Sequence, residues 1–135
     1  ESVWRLAPSA VRVGRVRIVP DDASVHAALQ PGDVRLHESA AFGTGVHPTT
    51  ALCLACLDEL LASEPVAAML DVGTGTGVLG LAGLVLGIAS VTAIDVDAVA
   101  ARAAKENARV NGVTHRLHVV CCDPEAVQGR WPLVM

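Results

Sequence analysis

The feature that most constrains this chain is a short apolar run that ends on an acid and passes, through three alternating glycines, into a second apolar run. Residues 66–72 (Val-Ala-Ala-Met-Leu-Asp-Val) have strand length and almost no polar side chains, as suits a strand covered on both faces of its sheet. Gly73, Gly75 and Gly77 follow, interleaved with Thr74 and Thr76, and residues 77–87 read as a helix. A strand, a glycine turn and a helix in that order place a tight backbone turn at the carboxyl edge of the sheet, where ligands of open α/β sheets bind. Glycine suits the turn because a Cβ would obstruct the ligand and because such turns can need positive φ.

The same alternation continues downstream. Residues 90–94 read as a second strand, 97–111 as a second helix ending at Asn111-Gly112, 116–122 as a third strand and 133–135 as the start of a fourth. Strands separated by helices imply right-handed crossovers and a parallel sheet, so the fold class is α/β and Rossmann-like, with parallel strands one to four and flanking helices. Upstream, residues 11–19 alternate apolar and basic side chains with the period of a half-buried strand, either one long strand bent at Gly14 or two short ones. Pro20-Asp21-Asp22 and Pro31-Gly32-Asp33 are turn signals, and residues 33–38 form another extended segment. Pro48 opens a helix over 49–62 that Ser63-Glu64-Pro65 ends. Residues 1–40 therefore read as a short β arm or linker and 41–135 as half of a nucleotide-type domain, with a soft boundary near 39–50.

At 135 residues and 52% hydrophobic the chain can bury one core, built from Ala, Val and Leu, since Trp4, Phe42 and Trp131 are its aromatics. Stacking platforms for single-stranded nucleic acid are missing, and a net charge of -4 offers no basic footprint, so direct nucleic-acid binding is not expected. No apolar run approaches the roughly 20 residues that span a bilayer and no secretory leader is evident, which makes a soluble, cytoplasmic protein the expectation. The sequence opens on Glu1 rather than Met, so a fragment is expected. Cys53/Cys56 and Cys121/Cys122 lack the second ligand pair that a zinc site needs at suitable spacing, and no metal is implied.

The residues around the glycines discriminate among ligands. A dinucleotide fingerprint places Gly or Ala at position 78, which is Val78 here, and no Lys follows the glycines as a phosphate loop requires. Asp71 sets negative charge beside the loop, which opposes a pyrophosphate and suits the cationic sulfonium and amino-acid tail of S-adenosylmethionine. At the end of the second strand Asp95 is placed to accept hydrogen bonds from ribose hydroxyls, the alternative being a helix cap, a role that fits Asp97 better. Asp123, after the third strand, either reaches the adenine edge or is a turn residue before Pro124.

The segment Ala41-Phe42-Gly43-Thr44-Gly45-Val46-His47-Pro48-Thr49-Thr50, followed by the glycine loop, resembles the methyltransferase family that modifies ribosomal large-subunit protein eleven. The resemblance continues through Leu79-Gly80-Leu81-Ala82, Leu86-Gly87, Ile94-Asp95-Val96-Asp97 and Asn107-Ala108-x-x-Asn111-Gly112-Val113, and covers residues 36–120. It implies a class I methyltransferase fold, S-adenosylmethionine as cofactor, and a protein substrate, a ribosomal protein methylated on lysine or α-amino nitrogen. Its cofactor contacts map to Thr50, Gly73 and Asp95, with the loop from Phe42 through Gly43 and Thr44 to Thr50 lying over the cofactor. Thr74, Gly75, Gly77 and Val96 complete the candidate binding set. His47 in that loop shapes the cofactor pocket or receives a substrate proton, or else holds the loop. The family also carries an upstream recognition domain and an Asn-containing motif after the fourth strand, and this chain stops at Met135 before that motif. Ending at the fourth strand leaves it as an open sheet edge, a place for association. Two rivals stand beside the enzyme: a non-catalytic or truncated binding module, and a nicotinamide-dependent oxidoreductase.

Overall fold

The computed structural model describes residues 10–21, 29–37 and 47–135. Its centre is a four-stranded sheet of β4 (Ala68–Val72), β5 (Ser90–Asp95), β6 (Leu117–Cys121) and β7 (Leu133–Val134), all parallel and in the order β6-β5-β4-β7. The chain steps outward from β4 to β5 and β6, then crosses back to lay β7 on the other side of β4. The order therefore reverses at β4, and the crevice of such a reversal opens at the carboxyl end of that strand. The glycine loop leaves β4 at this point.

Strand alternation sorts the side chains. Met69 and Asp71 of β4, Val91 of β5 and Leu117 of β6 share the face covered by α2 (Val78–Val85), and all are buried. Two glycines let α2 lie close. A Cβ on Gly80 would stand 2.9 Å from Leu117 Cδ1 and 3.1 Å from Val91 Cγ1, and one on Gly83 would stand 3.0 Å from Ile88 Cδ1. Gly80→Val is accordingly expected to destabilise the fold by about 2 kcal/mol through overpacking, read as a lower urea midpoint at unchanged slope. On the opposite face Val72, Val120 and Val134 remain exposed. Among the described residues β7 lies at one end of the sheet, beside β4.

The helices begin and end as their sequences dictate. In α1 (Pro48–Ser63) proline occupies the first turn, where its missing N–H is no loss. α3 (Ala98–Val110) starts on Asp97, whose side chain accepts from the Val99 amide at 2.9 Å, and ends on Asn111 with Gly112 at φ 69°. α2 is shorter than the 77–87 expected, because Gly77 caps it in a left-handed conformation and Gly87 at φ 112° has already turned away.

Of the two readings open for residues 11–19, the chain adopts two short strands. β1 (Val11–Val13) and β2 (Val16–Pro20) form an antiparallel hairpin that turns at Gly14, φ 57°, with Val13 opposite Val16. β3 (Asp33–Leu36) pairs with β2 in parallel. Arg17 clamps the buried Asp33 through two hydrogen bonds of 2.8 and 2.7 Å, and this bonding holds the Asp33 carboxyl below the usual carboxylate range. Val16, Ile18 and Val34 of this small sheet share one apolar core with Leu54 and Leu57 of α1 and with Met69, Leu81 and Ile88.

Candidate functional site

The glycine loop has three left-handed residues in alternation, Gly73 at φ 69°, Gly75 at 57° and Gly77 at 84°. An L-residue would pay roughly 1–2 kcal/mol at each of them, so the sequence pattern and the backbone path correspond. Two bonds close the turn: the Thr74 amide donates to the Ile94 carbonyl at 2.9 Å, and the Gly77 amide to the Thr74 carbonyl at 2.9 Å. Among the described residues a Cβ built on Gly73 would meet nothing within 4 Å, so on that side they leave room for a ligand to approach the loop backbone.

Asp95 stands at the tip of β5 beside this space. Its Oδ2 accepts from the Gly75 amide at 3.0 Å and its Oδ1 from the Asp97 amide at 2.9 Å. One carboxylate thus ties the loop to the head of α3, and with about four acceptor sites on two oxygens it retains capacity for further donors such as ribose hydroxyls. Val96, next in sequence, is exposed, as is Val72 at the end of β4, so apolar surface flanks the acid.

Asp71 and Thr74 are placed differently from the sequence expectation that both contact a ligand. Their side chains point inward under α2, Asp71 at 1% and Thr74 at 6% exposure, and Thr74 Oγ1 donates to Asp71 Oδ2 at 2.8 Å. Alternation along β4 is the reason: Asp71 falls on the face of Met69, which packs on the helix. Burial pushes the Asp71 carboxyl up to about 6, and the Asp95 charge adds to the rise, while bonds from the Thr74 hydroxyl and the Gly80 amide oppose it. Asp71 therefore braces the loop from below.

The remaining candidates divide. His47 is the N-cap of α1: its Nδ1 accepts from the Thr49 amide at 3.2 Å and lies 2.7 Å from Thr49 Oγ1. That geometry is the one that holds the start of α1. Thr50 sits in the first turn of α1, half-buried, and among the described residues no hydrogen bond joins it or His47 to the glycine loop. Asp123 caps a short 3₁₀ turn (Pro124–Ala126) by accepting from the Glu125 amide at 2.9 Å, which is the turn role. Phe42, Gly43 and Thr44 lie outside the described residues.

Sequence reasoning passed over Asn107 as a site residue. It is buried on α3 and donates to the Thr76 carbonyl of the glycine loop at 2.8 Å. An asparagine inside a helix, on the stripe otherwise occupied by Ala101, Ala104 and Ala108, is the signal that marks it. The four cysteines are free thiols, and among the described residues no group of three or more His, Cys, Asp or Glu comes together that could hold a metal. Nor, among those residues, is any helix long and apolar enough to cross a membrane.

A glycine turn at the reversal point of a parallel sheet, with an acid at the tip of the neighbouring strand, defines part of a class I methyltransferase fold. A solved ribosomal protein L11 methylase from Lactobacillus delbrueckii subsp. bulgaricus shares it, with a TM-score of 0.76 and 30% identity over 93% of this chain and 64% of that one. The family model described as ribosomal protein L11 methyltransferase matches residues 3–134, and the chain belongs to that family. Curated relatives of that name include one from Myxococcus xanthus, 39% identical over 98% of this chain and 46% of its own length. Another, from Symbiobacterium thermophilum, is 42% identical over 98% of this chain and 43% of its own length. The chain thus spans less than half the length of these relatives.

Proposed function

We propose that this chain holds S-adenosylmethionine in the crevice between the glycine loop and Asp95, and that the protein methylates amino groups, of lysine or of an N-terminus, on a ribosomal protein such as L11. The observation that carries the cofactor reading is Asp95. It is an acid fixed by the Gly75 and Asp97 amides at the rim of an open space, where the backbone presents no Cβ at Gly73. The negative charge of Asp95, with the buried Asp71 beneath the loop, favours a ligand with cationic groups.

When bound, the cofactor supplies an electrophilic methyl group that a neutral amine takes by in-line displacement. What this chain contributes is binding and orientation, terms worth up to roughly 7–11 kcal/mol in good cases. Asp95 fixes the ribose end, the left-handed glycines let the loop backbone come close, and Val72 and Val96 offer apolar contact to the adenine. Thr50 is proposed for the same pocket from its place in the segment Ala41 to Thr50, whose resemblance to the family implies a cofactor contact there.

Calorimetric titration of the chain with S-adenosylhomocysteine tests the cofactor reading: micromolar affinity is expected, and no heat of binding at millimolar ligand would overturn it. Mass spectrometry of L11 incubated with the protein and S-adenosylmethionine tests the substrate, since added methyl mass on amine-bearing peptides is expected.

A further inference from the structure

Two asparagines one helical turn apart on α3 join segments that are distant in the sequence. The side chain of Asn107 is engaged at both ends: Nδ2 donates to the Thr76 carbonyl at 2.8 Å, and Oδ1 accepts from the His37 amide, immediately after β3, at 2.7 Å. Asn111 holds the Arg35 backbone from both sides, accepting from its N–H at 2.8 Å and donating to its carbonyl at 2.6 Å. The two are linked, since Asn111 Nδ2 also donates to the Asn107 carbonyl at 2.7 Å.

Packing does not require a polar group at 107. The neighbouring buried positions of α3 are alanines, and an amide at 1% exposure is tolerated only because both of its ends are bonded. What Asn107 supplies is a fixed separation between the glycine loop and the end of β3. Both of its partners are main-chain groups, so the bridge constrains backbone to backbone.

We infer that Asn107 is a positioning residue that couples the three-stranded sheet to the cofactor loop, so that ligand bound at the loop and the docked sheet stabilise each other. This rests on the cofactor reading above. The coupling is reciprocal by linkage: whatever orders the loop orders the backbone at His37, and whatever loosens β3 weakens ligand binding.

Amide hydrogen exchange with and without S-adenosylhomocysteine, combined with calorimetry, tests it on the wild type, Asn107→Asp and Asn111→Leu. Asn107→Asp keeps an oxygen for the His37 amide and turns the donor facing the Thr76 carbonyl into an acceptor. In the wild type the ligand is expected to slow exchange at His37 as well as at Thr74, Gly75 and Gly77. Asn107→Asp is expected to bind roughly tenfold more weakly and to lose the response at His37, whereas Asn111→Leu, which removes two side-chain bonds to β3 at Arg35 but leaves the Asn107 bridge in place, is expected to weaken binding by less than that factor and to keep the response at His37. Wild-type affinity in Asn107→Asp overturns the inference. So does a wild-type response confined to the loop, a result that stands even where Asn107→Asp does not fold. Absence of binding by the wild type overturns the cofactor reading instead. The coupling is then judged from the urea dependence of wild-type exchange, where His37 and Gly77 opening with different slopes overturns it and a shared slope supports it.

Discussion

Replacing Asp95 by alanine is expected to weaken S-adenosylhomocysteine binding by roughly ten- to a hundredfold, because hydrogen bonds to a charged group are each worth about 1.5–3 kcal/mol and at least one ribose hydroxyl loses its acceptor. The same change also frees the loop. The Gly75 amide, now bonded to Asp95 Oδ2 at 3.0 Å, and the Asp97 amide, bonded to Oδ1 at 2.9 Å, both lose their partner. Asp95→Asn separates the two contributions: it retains one acceptor oxygen, and its amide nitrogen repels whichever N–H it faces, so affinity falls between that of alanine and the wild type. Calorimetry gives the affinities and a urea melt gives the fold. Alanine at 95 binding as tightly as the wild type would sink the assignment of the crevice beside Asp95 as the ribose site.

The second large effect is a pH dependence of stability. Asp71 has a carboxyl at about 6 in the folded protein against an ordinary value of 3.8, chiefly because it is buried. An acid whose folded value is raised binds its proton more tightly when folded. The stability it contributes is therefore complete below the unfolded value and is lost as the pH rises through the folded one, a change of about 3 kcal/mol between roughly pH 4 and pH 7. Asp33, whose carboxyl is held low by Arg17, acts in the opposite sense and loses stability only as the pH falls further. Asp71→Asn isolates the Asp71 part, since asparagine does not titrate. Urea melts across this range are expected to show the wild type's advantage over Asp71→Asn shrinking as the pH rises, and a constant gap would refute the account.

Much of the larger sheet and its glycine loop is visible in the residues themselves. The glycines at 73, 75 and 77 take positive φ as their spacing demands, Asp95 ends its strand, and Asp97 caps the following helix. These features are local: a left-handed turn, a strand end and a cap each depend on a few consecutive residues. The side-chain direction of Asp71 is not local in that sense. Alternation shows that it shares a face with Met69, but which face α2 covers depends on the hand of the crossover. Its burial under α2 is therefore not legible from its own stretch of chain, nor is the capping bond of Asp123.

The sequence by itself determined the order of elements, the existence of the loop and the kind of ligand it suits, because periodicity, glycine placement and the missing third dinucleotide glycine at Val78 act over short distances. Only the tertiary structure decided that β7 returns beside β4 to set the reversal point at the glycine loop, and that the β1–β3 sheet shares the core of the larger one. It alone joined Asn107 to both Thr76 and His37. The physical reason is that each of these depends on which distant partners satisfy a strand edge, an apolar face or a buried amide, and a hydrogen-bonding group carries no record of its partner in its own stretch of chain.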